Sequence, residues 1–455
     1  MKLKYIVLIS MLLSAQYCRA QKFKLLRYDE DYSTLKDSAK NFYNQIKYIP
    51  LTTSGKTYLS FGGEIREEFD RALNEDWGAA NTGVDAFSLQ RYSLHADLHI
   101  GDRIRVFGQL RSGLEFGRKN GPRPIDEDQL NVQNLFADVI AYKSTGRTLT
   151  LRLGRQEIQY GSGRLIDVRD GPNLRQYFDG AKMAYASSYL NVDGFIFANS
   201  AVRTGVFDNP INNKAGLWGI YSTWFAAKNM SIDLYYLGID RPNARFDEGV
   251  ADELRHTIGS RFWQNGDRLL YNVEIGYQLG TFGTSKIRAW GGSSEIGYRY
   301  SALKGAPTVK LRADFISGDN TQGDGKLGTF NALYPNGGYF GMNPQAGPAN
   351  LWSVHPTLAW NPCKEVLLSM EVVFYWRQSL ADGIYRPDGT FNLSSSGSAE
   401  RYIGTSYITS ASWIINRFLN FNVGLQYFET GSFINDVIPQ HKDGFFIGSV
   451  LGFKF

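Results

Sequence analysis

From residue 57 onward, apolar and polar positions alternate with a period of two. Leu94, Ala96, Leu98 and Ile100 alternate with His95, Asp97 and His99. Ile104, Val106 and Leu110 alternate with Arg103, Arg105, Gln109 and Arg111. Val309, Leu311, Ala313 and Phe315 alternate with Lys310, Arg312 and Asp314. Each such segment has one apolar face and one polar, often charged face, as a half-buried β-strand does. Roughly eighteen of them follow one another by the strand-pattern rules. They lie near 57–71, 86–100, 103–117, 130–143, 147–158, 177–188, 190–202, 214–227 and 229–240, then near 253–264, 267–280, 285–301, 307–319, 350–361, 364–378, 400–415, 418–430 and 443–455.

The connections alternate as well. Long stretches (72–85, 118–129, 159–176, 241–252, 320–349, 379–399) trade with tight turns at Gly101-Asp102, Ser144-Thr145-Gly146, Asn265-Gly266 and Asn361-Pro362. Long loops on one rim and short turns on the other predict an all-β, transmembrane, antiparallel up-and-down barrel. The last strand ends on Phe455. That resembles the terminal assembly signal of bacterial outer-membrane proteins. A secreted sandwich also alternates, but an uninterrupted series with this rim asymmetry fits a closed sheet better. No repeat of 20–50 residues points to a propeller or solenoid.

The first residues differ. Lys2 and Lys4 precede an apolar run from Tyr5 to Leu13, and Cys18-Arg19-Ala20 follows. This predicts a signal peptide over 1–20 cut before Gln21. Its removal takes three basic residues and lowers the net charge from +5 to +2. Cys363 is then the one remaining cysteine, so an intrachain disulfide is excluded. Over 28–48, Tyr28, Tyr32, Leu35, Ala39, Phe42 and Ile46 recur at helical spacing, which predicts a short amphipathic helix in a periplasmic segment spanning 21–56. The barrel domain is expected over 57–455.

Composition fits a barrel rather than a helical membrane protein. Mean hydropathy is −0.30, the average of two opposite strand faces. Phe (29), Tyr (27) and Trp (9) are abundant enough for interfacial girdles.

A barrel of this size has an aqueous lumen lined by its polar faces. Arg91, Arg103, Arg105, Arg111, Arg152, Lys310, Arg312 and Arg377 are expected to point inward, with Glu64, Asp97, Asp138, Asp314 and Glu371 among them. Each arginine could pair with a neighbouring acid and stiffen the wall. As a set, the basic positions outnumber the acids and predict a preference for anions, since the guanidinium fork suits carboxylates. The densest polar block, 154–182, carries Arg155, Arg164, Arg169, Arg175 and Lys182 beside Glu157, Asp167, Asp170 and Asp179. Gly161 and Gly163 would let it fold sharply into the lumen.

LRLGRQEIQYGSGRLIDVRDGPNLRQYFDGAK (151–182) and FISGDNTQGDGKLGTFNALYPNGGYFG (315–341) resemble the alginate-export family of outer-membrane barrels. The resemblance covers roughly 57–455. It implies an eighteen-stranded barrel with an arginine-rich constriction that conducts an anionic polysaccharide, with Arg152, Arg155, Arg164, Arg169, Arg175 and Asp179 at the constriction.

The segment 319–326 offers Asp319 and Asp324 as weak calcium ligands, but Thr321 and Gly323 break the EF-hand pattern. No hydrolase elbow, zinc motif or phosphate loop is present. No enzyme, cofactor or nucleic-acid partner is expected. The expected function is an outer-membrane channel exporting an acidic polysaccharide such as alginate. The alternatives are a porin for small anionic solutes and a non-transport receptor or adhesin. Expected partners are the anionic polysaccharide or small anionic solute, outer-membrane lipid and periplasmic export components.

Overall fold

A computed structural model describes residues 23–39, 41–79 and 83–455. The signal peptide expected over 1–20 lies outside them. Eighteen strands form one closed antiparallel sheet. The first six are β1 (Tyr58–Leu73), β2 (Val84–Ile100), β3 (Ile104–Phe116), β4 (Asp128–Ser144), β5 (Arg147–Gln156) and β6 (Phe178–Ser187). The next six are β7 (Leu190–Ser200), β8 (Ile211–Ala227), β9 (Met230–Phe246), β10 (Gly249–Asn265), β11 (Leu269–Phe282) and β12 (Ser285–Arg299). The last six are β13 (Thr308–Ile316), β14 (Leu351–Cys363), β15 (Val366–Arg377), β16 (Tyr402–Ile414), β17 (Leu419–Thr430) and β18 (Gly444–Lys454). Each strand pairs with the next, and β18 pairs with β1 from Glu64↔Lys454 to Leu73↔Phe445, which abolishes both sheet edges.

Alternation assigns the faces. Leu94, Leu135, Leu151, Ile196, Ile220, Leu234, Ile258 and Ile296 are exposed on the outside. Trp224, Tyr298, Trp360 and Trp413 flank this apolar band toward the short turns, and Trp290, Trp352, Tyr407 and Tyr427 flank it toward the long loops. Lipid replaces water on such a belt.

Three local expectations are corrected. Residues 241–252 form no long loop; β9 and β10 continue as a hairpin to Phe246 and Gly249 with a bulge between Arg241 and Ala244. Asn361-Pro362 lies inside β14, and the turn falls at residues 364–365. The helix expected over 28–48 is confined to α1 (Phe42–Lys47), capped by the Asn41 side chain accepting from the Asn44 N–H. Arg27–Asp29 and Ser33–Leu35 are isolated 3₁₀ turns. Tyr28 and Tyr32 are both buried there, but each is held by its own anchor rather than along one helical stripe.

The arm before β1 enters the short-turn mouth. The Tyr28 ring meets Phe107 and Phe136 edge-on at centroid distances of 5.9 and 5.2 Å. The Arg27 guanidinium, paired with Glu30, donates to the Gly63 carbonyl at 3.0 Å and the Phe455 carbonyl at 2.8 Å.

At the opposite rim β5 and β6 stop early, and the chain between them turns inward. The loop at 201–210 crosses outside the resulting notch to β4, where the Phe207 N–H donates to the Leu130 carbonyl (2.9 Å) and the Gln129 N–H donates to the Thr204 carbonyl (3.1 Å).

Candidate functional site: the lumen and its inserted loops

The loop at 157–177 reverses at Tyr160–Gly163, where Gly161 and Gly163 hold φ of +58° and +78°. A Cβ on Gly163 would lie 2.4 Å from an Asp167 carboxylate oxygen, so only glycine fits. The loop then zips onto the loop at 317–350. Asp167 N–H donates to the Tyr334 carbonyl, Tyr334 N–H to that of Leu165 and Asn336 N–H to that of Gly163, each at 2.9 Å. The wall grips this pair of loops from β11, where the Gln278 amide accepts from Asn331 N–H at 2.9 Å and donates to the Asn331 carbonyl at 2.7 Å. Backbone that would be an unsatisfied intruder is thereby hydrogen-bonded inside the barrel.

Nearly every basic residue here is met by a carboxylate. Arg91 pairs with Asp170 (2.7 Å), Arg105 with Asp97 (2.7 Å), Arg111 with Asp128 (2.6 Å) and Arg152 with Asp138 (2.7 Å). Arg164 pairs with Asp314 (2.5 Å), Arg175 with Glu157 (3.0 Å), Lys182 with Asp193 (3.3 Å) and Lys310 with Glu295 (3.4 Å). Arg312 reaches Glu371 at 3.3 Å and Asp314 at 3.6 Å. Arg377 is fully buried and donates to main-chain carbonyls, among them those of Ser398 (2.8 Å) and Leu380 (3.1 Å), so it knits the loop at 378–401 rather than facing an open path. Arg169 adopts φ +55° and donates to the Asp388 carbonyl; burial pushes its guanidinium below the usual arginine range. Burial also works against ionisation of Asp170, but Arg91, Arg175 and Arg66 overcome it and hold that carboxyl well below its ordinary range.

The wall is therefore mixed in sign. Acids outside the sequence expectation, including Glu68, Asp193, Asp233, Glu253, Glu274 and Glu295, offset the arginine surplus.

Three expected lumenal positions are corrected further. Arg103 sits exposed at the short-turn rim and bonds the Ile140 carbonyl. Arg155 and Asp179 pair with each other (2.9 Å), but Arg155 is in register with Leu135, whose side chain is 54% exposed on the outer face. Paired residues share a face, so this pair lies outside the wall, in the notch near the crossing loop at 201–210. Asp319 and Asp324 accept N–H groups of their own loop, from Gly328 (2.6 Å) and Lys326 (2.8 Å). Among the described residues no three potential metal ligands cluster.

One row of directly opposed lumenal residues runs across seven strands: Asp233, Arg261, Glu274, Ser293, Asp314, Ser353 and Tyr375. Beside it Asp193 opposes Tyr221, and Tyr221 opposes Tyr235. The Tyr221 hydroxyl donates to Asp233 (2.8 Å), Arg261 to Asp233 (3.0 Å), and Tyr235 and Ser162 to Glu274 (3.1 and 2.8 Å). Strict alternation could have found Asp233, Arg261 and Glu274. Toward the short-turn mouth, on the side away from the arm, an opening of about 630 Å³ is lined by residues including Lys228, Ser231, Trp263 and Asn265.

The family model described as Alginate export matches residues 57–446. No curated protein matches the chain. Among solved structures, Pseudomonas aeruginosa OpdO is 12% identical with a TM-score of 0.58, covering 87% of this chain and 97% of its own. OpdK from the same organism is 10% identical with a TM-score of 0.60, covering 87% and 98%. A BenF-like porin from Pseudomonas fluorescens is 13% identical with a TM-score of 0.58, again covering 87% and 98%. At these identities the likeness is one of fold.

Proposed function

Because this chain belongs to the alginate export family and is a channel-type barrel of the bacterial outer membrane, we propose that it is a selective channel for carboxylate-bearing solutes the size of one or a few sugar rings. The observation that carries this reading is the backbone pairing of the loops at 157–177 and 317–350 inside the lumen. That pairing narrows the path while leaving Arg164, Lys182 and Arg312 beside it. A narrow path with fixed charges of both signs selects by local geometry rather than by bulk charge. The second reading is export of an acidic polymer, favoured by the family description. It requires the paired loops to separate.

Planar-bilayer recording tests both. Under a salt gradient the purified chain is expected to show modest anion preference, reduced by Arg164→Gln. Small carboxylates are expected to carry or block current at concentrations where a long uronate polymer does neither. Cation preference unchanged by Arg164→Gln would reject the reading. Polymer-dependent block from one side only would favour export of a chain.

A further inference from the structure

Charge is unevenly distributed over the outer surface at the long-loop rim. On β12, Ile287 and Ala289 are buried toward the interior, so Lys286, Arg288 and Trp290 face outward. Arg288 stands opposite Leu279 of β11, and Lys286 opposite Thr281. On the other flank of β12 the segment 326–327 runs parallel to it and sets Lys326 beside Lys286. Neighbouring strands lie about 4.8 Å apart, and residues two apart along a strand about 6.8 Å. Three cations therefore share one small area directly above Trp290 of the aromatic band.

Lys326 is held by Asp324 at 3.3 Å. Lys286 and Arg288 are exposed, and neither side chain makes a hydrogen bond or ion pair among the described residues. The lumenal cations, nearly all met by carboxylates, are unlike them. The wall beside Arg288 carries no acid in its own row, where Leu279 is followed by His256, Gly238 and Trp218. The His256 Nδ1 is engaged by the Tyr236 hydroxyl at 2.8 Å. The rim around β1, β2 and β16–β18 has the opposite sign. There carboxylates are held by outward tyrosine hydroxyls, Tyr92 on Glu67 (2.7 Å), Tyr407 on Glu429 (3.2 Å) and Tyr427 on Asp443 (2.6 Å).

A charge on the lipid-facing wall costs more with depth and little at the interface, where headgroups meet it. Arg288 stands two residues above Trp290, at that boundary. Below it the apolar surface continues through Phe315 and Trp352, which are exposed and pack edge to face at 5.6 Å. We propose that Lys286, Arg288 and Lys326 bind the phosphorylated headgroup of a lipid in the leaflet that meets the long loops, with its acyl chains running down over Trp290, Phe315 and Trp352. The guanidinium fork of Arg288 suits two phosphate oxygens, and the lysines add point charges. Contiguity of cations with apolar surface favours a lipid over a free anion, which would use the cations alone. The site is separate from the lumen and does not depend on what the channel passes.

Native mass spectrometry of the full chain in detergent tests this, with bisphosphorylated lipid A, phosphate-free lipid A and inorganic phosphate as probes. The bisphosphorylated lipid is expected to be retained about tenfold more strongly than the phosphate-free form. Lys286→Gln combined with Arg288→Gln should bring its retention down to the phosphate-free level. Arg71→Gln, at an exposed outward cation on β1 opposite Ile447, should leave retention unchanged. Neither Lys286→Gln nor Arg288→Gln removes a bond within the protein, and heat-modified gel mobility checks that each variant folds. Equal retention of the two lipids by the wild type overturns the proposal. So does full retention in the folded double variant, an equal loss in Arg71→Gln, or displacement of the lipid by inorganic phosphate at the lipid's own concentration.

Discussion

The Tyr28 hydroxyl donates to the Glu157 carbonyl at 2.5 Å, joining the amino-terminal arm to the first residue of the inserted loop. Two further links reinforce it. Arg105 donates to the Tyr28 carbonyl (2.6 Å), and Arg175 of the loop donates to the Leu25 carbonyl (3.0 Å). The arm and the constriction are thus one hydrogen-bonded body, although they are distant in sequence.

Removing the Tyr28 ring should disturb both ends of that body. Tyr28→Ala empties a buried aromatic box and is expected to cost about 3–5 kcal/mol locally. Larger and noisier single-channel currents than wild type are the expected reading. Tyr28→Phe removes only the bond to Glu157 and is expected to alter current noise with little change in mean conductance.

The pairing of arginines with acids makes a counterintuitive claim about selectivity. Asp138 receives both Nε and Nη2 of Arg152, at 2.7 and 2.8 Å. Asp138→Asn leaves the guanidinium without its counter-charge. Anion preference measured by reversal potential is expected to rise, whereas Arg152→Gln is expected to lower it. Opposite signs from the two partners would establish that the wall is balanced by pairs.

Asn350 ties two loops together. It is fully buried at φ +47°; its side chain accepts from Ser379 N–H (2.6 Å) and donates to the carbonyls of Ser379, Asp382 and Gly383. Asn350→Ala loses these bonds and keeps the left-handed backbone that asparagine tolerates better. A destabilisation of about 2–4 kcal/mol is expected from these combined losses. Faster proteolysis within 317–350 and 378–401, with strand content unchanged, is the measurement.

The arm should also respond to pH. Lys47 is fully buried, its ammonium has no hydrogen-bond partner, and it lies 4.7 Å from the Tyr32 ring centroid. Burial, assisted by Arg27, pushes its pKa down to about 7, against the attraction of Glu30 and Asp97. A base whose folded pKa is depressed stabilises the seated arm above its unfolded pKa of about 10.4, and that contribution is lost as pH falls through about 7. A spin label at Asn44→Cys, in a Cys363→Ser background, is expected to gain mobility as pH falls from about 10 to about 7, with little further change below that. Lys47→Met should flatten that response.

Period-two alternation made the barrel legible because each strand meets lipid on one face and polar lumen on the other. The same rule places Arg155 on the face of Leu151 and Leu153, so its outward position was readable from the strand itself. Family resemblance pointed the other way. The partners of the arginines were harder to read, since Arg91–Asp170 and Arg164–Asp314 join strands to a loop whose path local pattern does not encode. The pair of Arg241 with Glu253, at 2.5 Å, was obscured because 241–252 carries polar residues suggestive of a loop, yet continues as ladder. The arm's helical spacing was real, but its tyrosines answer to separate pockets.

Arg27 grips the carbonyls of Gly63 and Phe455 at once, one on the first strand and one just beyond the last. Those two oxygens come together only when β18 has met β1. The arm therefore cannot take its final seat on a half-built sheet. Its docking is a chronological marker, the event that follows closure of the seam, and a chain truncated before its last strand would leave Arg27 with only the Gly63 carbonyl to hold.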